Sequence, residues 1–202
     1  AENLGIQYHV IPIATVYHKF MKELAPVFGP DNKWNVAEEN LQARIRGTLL
    51  MAYSNKFNAL LLNTSNKSEL STGYGTLYGD LAGAAMVIAD LYKCEVYELA
   101  DYINSDGIII PKSTITKAPS AELREGQKDS DSLPDYSILD PLLYALHEGG
   151  KSYEQLLAAG ADKKALDKIV KLKGGAIFKV AQIPPIFNIS NKPIGYKEKW
   201  IL

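Results

Sequence analysis

The sequence predicts an α/β fold, a doubly wound parallel sheet with a helical C-terminal appendage. The apolar run at 59–62 has no alternation and is bounded by asparagines, which is typical of a strand buried on both faces of a parallel sheet. Segments with helical periodicity precede and follow that run. From residue 135 the pattern is almost wholly helical. We therefore expect one domain over residues 1–202 that ends in packed helices.

The composition is that of an ordinary globular chain and excludes several classes of protein. Of 202 residues, 47% are hydrophobic and 22% are charged. The 22 Lys and Arg nearly balance the 23 Asp and Glu, so no strongly basic surface for nucleic acid is expected. The single cysteine, Cys94, excludes a disulfide framework and favours a reducing compartment, so we expect a cytoplasmic protein. No apolar run is long enough to predict a membrane span.

The beginning of the chain predicts a helix end, a strand and a helix. Residues 1–5 resemble the last turn of a helix with Gly5 just past its end. This favours a chain that begins inside a domain, with a processed terminus or cloning boundary as the alternative. Residues 8–13 predict an apolar strand, and residues 16–24 a helix with Thr15 as N-cap.

Two helices are predicted in the centre. The first opens at Asn35, which forms a capping-box pattern with Glu38, and its Asn40 and Arg44 share one face. The second spans residues 93–104. Their inward positions at helical spacing are Leu41, Ile45, Leu49 and Ala52 in the first, and Val96, Leu99, Ala100 and Ile103 in the second.

The second half of the chain begins with irregular segments. Residues 108–110 predict a short strand or a packed turn. The polar stretch 111–134 predicts a long loop, a type of segment that is usually functional or disordered. Ser152 and Gln155 form another capping-box pattern. The predicted helices are 135–147, 152–159 and 162–173.

Two glycine-rich segments imitate nucleotide-binding motifs but lie in the wrong context. In residues 73–79 the third glycine falls one position late for a dinucleotide fingerprint. Residues 145–152 resemble a P-loop, yet they join two helices and do not leave a strand, so no phosphate cradle is predicted. The three histidines lack metal-ligand spacing, and no nucleophile elbow occurs.

The polar stretch 63–70 follows the apolar strand, where α/β sheets place ligands. It offers hydroxyls at positions 64, 65 and 68, the ammonium of Lys67 and the carboxylate of Glu69. Hydroxyls and an ammonium suit phosphate oxygens, and a single carboxylate suits a Mg²⁺ ion shared with phosphates. A polar turn in which Ser65 or Ser68 caps a helix explains the same residues, so composition alone leaves both interpretations open.

Seven blocks in a fixed order carry a resemblance to a family. The central block reads Asn-Thr-Ser-Asn-Lys-Ser-Glu at 63–69 and continues as Gly-Tyr-x-Thr-x-Tyr-Gly-Asp at 73–80. The others lie at 39–47, 90–93, 96–99, 117–123, 133–140 and 178–185. Together they span nearly the whole chain, and they resemble NAD synthetases, in particular the glutamine-dependent branch.

The resemblance implies a fold, a reaction and an assembly. The fold would be adenine nucleotide alpha hydrolase-like, and the protein would be a homodimer or higher homo-oligomer. ATP, the co-substrate, would adenylate the nicotinate carboxylate of deamido-NAD and release pyrophosphate. Ammonia, free or derived from glutamine, would then displace AMP to give NAD. Charge that develops on phosphate oxygens calls for Mg²⁺ and fixed cations.

The resemblance also implies site residues, although it assigns no residue a certain catalytic role. The expected ATP contacts are Thr64, Lys93 and Ser120. The expected deamido-NAD contacts are Asn40, Arg44, Glu69, Tyr74, Gly75, Thr76, Leu77 and Lys179. Glu69 is also the expected Mg²⁺ ligand.

The sequence departs from the family in one motif. The Ser-Gly-Gly-x-Asp-Ser loop, which cradles pyrophosphate and carries a second Mg²⁺ carboxylate, does not occur. We therefore expect a domain truncated at its N-terminus, with little or no activity alone. The amidase domain of the glutamine-dependent branch is not present either, and Cys94 is not its nucleophile. Residues 128–132 are a candidate lid over ATP, judged from their position in the long loop.

Two other functions fit the pattern. One is an amidating ligase of the same superfamily that resembles GMP synthetase, although the helix with Asn40 and Arg44 and the position of Lys179 argue against it. The other is a non-catalytic fragment that only binds nucleotide or dimerises, which the missing phosphate loop keeps open.

Overall fold

The computed structural model describes residues 1–31 and 33–194. The helices and strands there are, in chain order, α1 (Ala14–Phe28), α2 (Val36–Phe57), β1 (Leu62–Asn63), α3 (Lys67–Thr72), β2 (Ala85–Met86), α4 (Lys93–Ile103), α5 (Lys112–Thr116), a 3₁₀ turn (Asp129–Asp131), α6 (Tyr136–His147), α7 (Tyr153–Ala158) and α8 (Lys163–Val180). None of these helices is long and apolar enough to cross a membrane.

The fold contains a small parallel sheet. Strands β1 and β2 pair in parallel, with Leu62 beside Ala85 and Asn63 beside Met86. Met86 also bridges in parallel to Ile186, so the chain after α8 extends the sheet past β2. The prediction of an α/β fold with a parallel sheet is confirmed, and α6, α7 and α8 supply its helical C-terminal part.

The two apolar runs form less strand than predicted: the parallel strand expected at 59–62 is short and not buried on both faces, and the strand expected at 8–13 does not form in the described ranges. In the run at 59–62 only Leu62 joins a strand, and Leu60 is 79% exposed. The segment 8–13 pairs with no strand in the described ranges, and its Val10 is 82% exposed. Apolar residues are buried only where another element covers them, and neither run has strands on both of its edges among the described residues.

The N-terminal turn agrees with the prediction from the sequence, whereas the start of α1 does not. The amides of Gly5 and Ile6 donate to the carbonyls of Glu2 and Ala1, which is the hydrogen-bond pattern of a helix end and fits the prediction for 1–5. Helix α1 starts at Ala14 with no side-chain cap, so the prediction of Thr15 as N-cap is wrong. The helix also continues through Pro26 and ends at Phe28.

Helix starts with side-chain caps match the sequence well. Asn35 and Glu38 cap α2 reciprocally, and Ser152 and Gln155 do the same for α7. Asp135 and Asp162 cap α6 and α8. Helix α8 ends at Val180, beyond the predicted end at residue 173. Glycines inside a helix cost only about 1 kcal/mol each, which buried residues further along can offset.

The inward faces predicted for α2 and α4 are partly wrong. Helix α2 buries Ala43, Ile45 and Gly47, whereas Ala52 is exposed. In α4, Leu99 is 40% exposed. Both helices lie at the edge of the described fold, so part of each apolar stripe faces no neighbour. The segment 108–110 is irregular and not a strand, and the amides of 109 and 110 donate to the Asn104 side chain. It is not the packed turn of the other prediction either, because Ile108 is 76% exposed.

Helix α3 lies between two apolar clusters. One joins α3, β2 and the end of α8: Leu70, Leu81, Met86, Ala89, Val180, Ile183 and Ile194. The other joins α4, α6 and α8: Tyr92, Leu133, Tyr136, Leu139, Leu143 and Ile169. Helix α3 contacts both α6 and α8. This packing fixes the short helix that carries the predicted polar motif.

Candidate functional site

A cavity of about 380 Å³ opens at the carboxyl end of β1. The predicted ATP contacts Thr64, Lys93 and Ser120 all line it, together with Glu69 and Tyr74. These residues come from the β1–α3 loop, α3, the loop after α3, α4 and the loop after α5. The structure therefore brings together side chains that are more than 50 positions apart in the sequence.

The start of α3 holds Glu69 at the wall of this cavity. Asn66 is the N-cap: its Oδ1 accepts from the Glu69 amide at 2.9 Å. Glu69 Oε2 accepts from the Asn66 amide at 3.1 Å, and Oε1 accepts from Asn66 Nδ2 at 2.7 Å. The N-cap of α3 is thus neither Ser65 nor Ser68. The two hydrogen bonds that Asn66 donates to the Glu69 carboxylate fix the orientation of that carboxylate.

Composition left open whether Lys67 and Ser68 contact phosphate, and the structure places neither of them in the lining of the cavity. Lys67 is fully buried, with Nζ 2.7 Å from Glu148 Oε1 and 3.0 Å from Asp90 Oδ1. The Ser68 hydroxyl donates to Asp140 Oδ1 at 2.5 Å. Successive residues on a helix point in different directions, and spacing alone does not reveal which direction faces a ligand.

The electrostatics of the cavity centre on Glu69 and Lys93. Burial raises the pKa of Glu69 to about 7, although the Lys93 ammonium, 4.0 Å away, acts to lower it. The Lys93 Nζ also lies 5.7 Å from the ring centre of Tyr97 and 5.8 Å from that of Tyr136. A carboxyl that titrates near neutral pH thus faces a cation held between two aromatic rings.

Sequence reasoning missed Asp129, which also lines the cavity. The Tyr136 hydroxyl donates to Asp129 Oδ2 at 2.8 Å. The Asp129 carboxylate also interacts with the buried Tyr74 hydroxyl. The pKa of Tyr74 is raised by burial and by the charge of Asp129. The signal in the sequence was the length of the polar loop, which made 128–132 a candidate lid. Asp129 is buried in the wall of the cavity.

Helix α2 anchors the loop that carries Ser120. Gln42 Nε2 donates to the Leu123 carbonyl and Arg46 donates to the Glu122 carbonyl, each at 2.8 Å. Glu39 pairs with Arg124 at 3.3 Å. These bonds give the predicted loop 111–134 a defined course past the cavity, with α5 and the 3₁₀ turn inside it.

The predicted deamido-NAD contacts gather around the loop after α3. Asn40 Oδ1 accepts from the Thr76 hydroxyl at 2.7 Å, and Arg44 Nε donates to the Leu77 carbonyl at 3.2 Å. Lys179 Nζ donates to the carbonyls of Gly73 and Gly75, at 2.7 Å each. Within this set only Glu69 and Tyr74 line the cavity itself. Tyr74 connects the loop to the cavity.

The turn at 76–80 is pressed against α2. The Thr76 amide donates to Asp80 Oδ1 at 2.5 Å, and Asn63 Nδ2 donates to the Asp80 carbonyl at 2.6 Å. A Cβ on Gly79 would lie 2.9 Å from the carbonyl carbon of Ala43. The backbones of α2 and this turn can therefore approach only because residue 79 lacks a side chain.

Replacing Gly79 with alanine is expected to lower the free energy of unfolding by about 1–3 kcal/mol, because the new methyl group meets backbone that cannot rotate away. Urea denaturation measures the loss. Gly174→Ala is the matched control, since a Cβ there meets nothing within 4 Å; in mid-helix it is expected to be neutral or stabilising. Equal effects of the two substitutions would contradict this account of the turn.

The oxygen ligands around Glu69 fit a cation that is coordinated mainly by phosphate and water and by few protein groups. In the described ranges no group of three or more His, Cys, Asp or Glu could hold a metal ion. The carboxylates of Glu69 and Asp129 nevertheless both line the cavity and offer oxygen ligands. Mg²⁺ commonly binds through one or two carboxylates, with phosphates and water completing its shell. These residues fit such an ion.

Cys94 is not a nucleophile of this site. Burial and the Asp140 carboxylate raise the pKa of its thiol to about 11, so it is protonated at neutral pH. The P-loop-like segment 145–152 joins α6 to α7, as expected. Its Glu148 serves as a partner of Lys67.

Comparison with known proteins places this geometry in a family. The NAD synthase family model matches residues 1–183, so the chain belongs to the NAD synthase family. It is 45% identical over 195 residues to a glutamine-dependent NAD(+) synthetase of Synechocystis, a match that covers 96% of this chain and 35% of the relative. The chain spans about a third of the length of the curated relatives it matches.

Solved structures agree with this assignment. An NMN synthetase of Francisella tularensis superposes with a TM-score of 0.72 at 29% identity, covering 94% of this chain and 69% of that one. A glutamine-dependent NAD+ synthetase of Acinetobacter baumannii, in complex with ADP, superposes with a TM-score of 0.56 at 38% identity, covering 98% and 35%. The predicted adenine nucleotide alpha hydrolase-like fold is confirmed, and family membership argues against a ligase that resembles GMP synthetase.

Proposed function

We propose that this chain carries the site at which ATP and ammonia convert deamido-NAD to NAD, through an adenylated nicotinate, with release of AMP and pyrophosphate. The observation that carries the proposal is the convergence of Thr64, Lys93, Ser120 and Glu69 on one cavity beside the loop 73–77. Ammonia is supplied free or from glutamine.

The cavity supports the ATP half of the reaction. Hydroxyls of Thr64 and Ser120 and the ammonium of Lys93 are the groups that phosphate oxygens accept from. Glu69, with Asp129, would hold Mg²⁺, which when bound neutralises charge on the phosphates. The ADP complex of the Acinetobacter relative supports an adenine nucleotide here.

The loop 73–77 supports the second substrate. Arg44 and Lys179 bring cations to opposite ends of this loop, through the Leu77 carbonyl and the carbonyls of Gly73 and Gly75. We propose that these side chains and Asn40 bind deamido-NAD. Tyr74 lies between the loop and the cavity, so the two substrates would meet there. Holding two reactants in this way supplies much of the rate enhancement in reactions of this kind.

We further propose a homodimer or higher homo-oligomer that acts in the cytoplasm. Both proposals rest on the family resemblance. Sedimentation of the purified chain tests the assembly.

Calorimetric titration of the folded chain with deamido-NAD, ATP and GMP tests the function. We expect binding of the first two and none of GMP. Arg44→Ala should weaken the binding of deamido-NAD and leave the binding of ATP unchanged. No binding of deamido-NAD by a folded sample would contradict the site assignment. Because we expect little or no activity from this chain alone, release of pyrophosphate when both substrates are bound would argue against the fragment that binds nucleotide without catalysis.

Lys93→Met is expected to weaken ATP binding about 10- to 100-fold, the loss that follows removal of a charged hydrogen-bond donor to phosphate. Deamido-NAD binding should be unchanged. Lys112→Met is the matched control: Lys112 also opens a helix, but it is exposed and lies outside the cavity. An unchanged ATP affinity in Lys93→Met would contradict the assignment of Lys93.

A further inference from the structure

The first turn of α4 is bonded to two buried side chains on other helices. The Lys93 amide donates to the Ser68 hydroxyl oxygen of α3 at 2.9 Å. The Cys94 amide donates to Asp140 Oδ2 of α6 at 2.8 Å. The Ser68 hydroxyl in turn donates to Asp140 Oδ1. Three helices thus meet in a closed set of hydrogen bonds that holds the two leading amides of α4.

This set is shielded from water and is complementary in charge. Ser68 is fully buried and Asp140 is 5% exposed. Amides at the start of a helix carry a partial positive charge, which a carboxylate such as Asp140 stabilises. Both Asp140 oxygens are occupied, and the Ser68 oxygen both donates and accepts. A bond lost in this interior is not replaced by water, so the set is rigid.

The residue held most directly is Lys93. Its amide is bonded to Ser68, the neighbour in sequence of Glu69, and its ammonium lies 4.0 Å from Glu69. Helix α6 contributes twice, because Asp140 holds the backbone of α4 and Tyr136, one turn earlier, presents its ring to the Lys93 ammonium. The same two helices that fix the backbone therefore also supply the carboxylate and the ring that face the ammonium.

We propose that Ser68 and Asp140 are positioning residues that set the Lys93 ammonium opposite Glu69. Neither side chain lines the cavity, so both act through the backbone of α4. Ser68 thereby has a role in the polar motif other than contact with phosphate. The consequence for ATP rests on the proposed function, whereas the position of the ammonium does not.

The first test needs no nucleotide. Protons on the ε-carbon of Lys93 lie near two aromatic rings and should show an upfield ring-current shift by NMR, assigned by its loss in Lys93→Met. Ser68→Ala is expected to move this resonance towards the value of an exposed lysine. Ser71→Ala is the matched control: Ser71 is buried on the same helix but lines the cavity between α6 and α8. An unmoved resonance in folded Ser68→Ala overturns the proposal.

The second test uses ATP affinity in a double-mutant cycle. Ser68→Ala should weaken ATP binding about fivefold to tenfold in the native background and leave it unchanged in the Lys93→Met background. Equal weakening in both backgrounds means that Ser68 supports the fold generally, which overturns the proposal. If the native chain binds no ATP, the proposed function fails, while the NMR result still decides the role of Ser68.

Asp140 provides a second variant if Ser68→Ala does not fold. Asp140→Asn keeps an oxygen for the Cys94 amide and an amide group towards Ser68, so the Lys93 resonance should stay near its native position. Asp140→Leu keeps neither and should shift the resonance as Ser68→Ala does. A native resonance position in Asp140→Leu overturns the proposal.

Discussion

Replacing Lys67 with methionine is expected to lower the free energy of unfolding by about 3–5 kcal/mol. The ammonium is fully buried between Asp90 and Glu148, donates to the Ser190 hydroxyl, and lies 5.1 Å from the ring centre of Tyr92. Its removal leaves the buried carboxylate of Asp90 without its cation. The cost of an uncompensated buried charge is what makes this the largest expected effect.

Chemical denaturation of Lys67→Met measures this loss. Lys163→Met is the matched control, because Lys163 forms an exposed pair with Asp167 one turn along α8 and its replacement should leave the stability nearly unchanged. The double variant Lys67→Met/Asp90→Asn should recover part of the loss, since it also removes the stranded charge. A loss below about 1 kcal/mol in Lys67→Met would show that the ion cluster is not a main support of α3.

Raising the pH from 5 to 8 is expected to destabilise the folded chain through Glu69, by up to about 3 kcal/mol. Burial raises the folded-state pKa of this carboxyl to about 7 from 4.5, more than the Lys93 ammonium lowers it. The folded state thus prefers the protonated form. Its contribution to stability is complete below pH 4.5, declines as the pH rises, and is lost above pH 7.

Urea midpoints at several pH values, compared between the native chain and Glu69→Gln, isolate this contribution. The glutamine variant should lose most of the decline between pH 5 and pH 8. Glu154→Gln is the control: hydrogen bonding from the Ser152 hydroxyl holds the pKa of Glu154 below its usual value, so it stays ionised over that range. Parallel curves for the native chain and Glu69→Gln would contradict the assignment.

Features decided by interactions between near neighbours in the sequence were predictable, and features decided by distant residues were not. Asn35 with Glu38, and Ser152 with Gln155, were predictable because a cap is decided within four residues. The runs at 8–13 and 59–62 failed as buried strands because burial depends on distant neighbours. The motif 63–69 was predictable as a site but not residue by residue, since contacts with Asp140 of α6 and with Ser190 decide which way Ser68 and Lys67 face.

The candidate site shows the same division. The shared helix face of Asn40 and Arg44 follows from spacing, and the structure puts both on the segment 76–77 that the resemblance grouped with them. Asp129 was missed, because its place in the cavity depends on Tyr136 and on the course of a long loop. Its roles, and those of the other site residues, stay predictions until ligands are bound.

Lys179 donates hydrogen bonds to the carbonyls of Gly73 and Gly75. A ligand that binds the Lys179 ammonium would therefore have to replace these two hydrogen bonds with its own. A ligand that recruits this ammonium must offer acceptors at least as good as two backbone carbonyls, so the net gain in affinity is small. Burial lowers the pKa of Lys179, although the charge of Asp80 acts to raise it. Under the proposed function, this contact would discriminate between ligands, because a ligand with too few acceptors would leave the ammonium bonded to the Gly73 and Gly75 carbonyls.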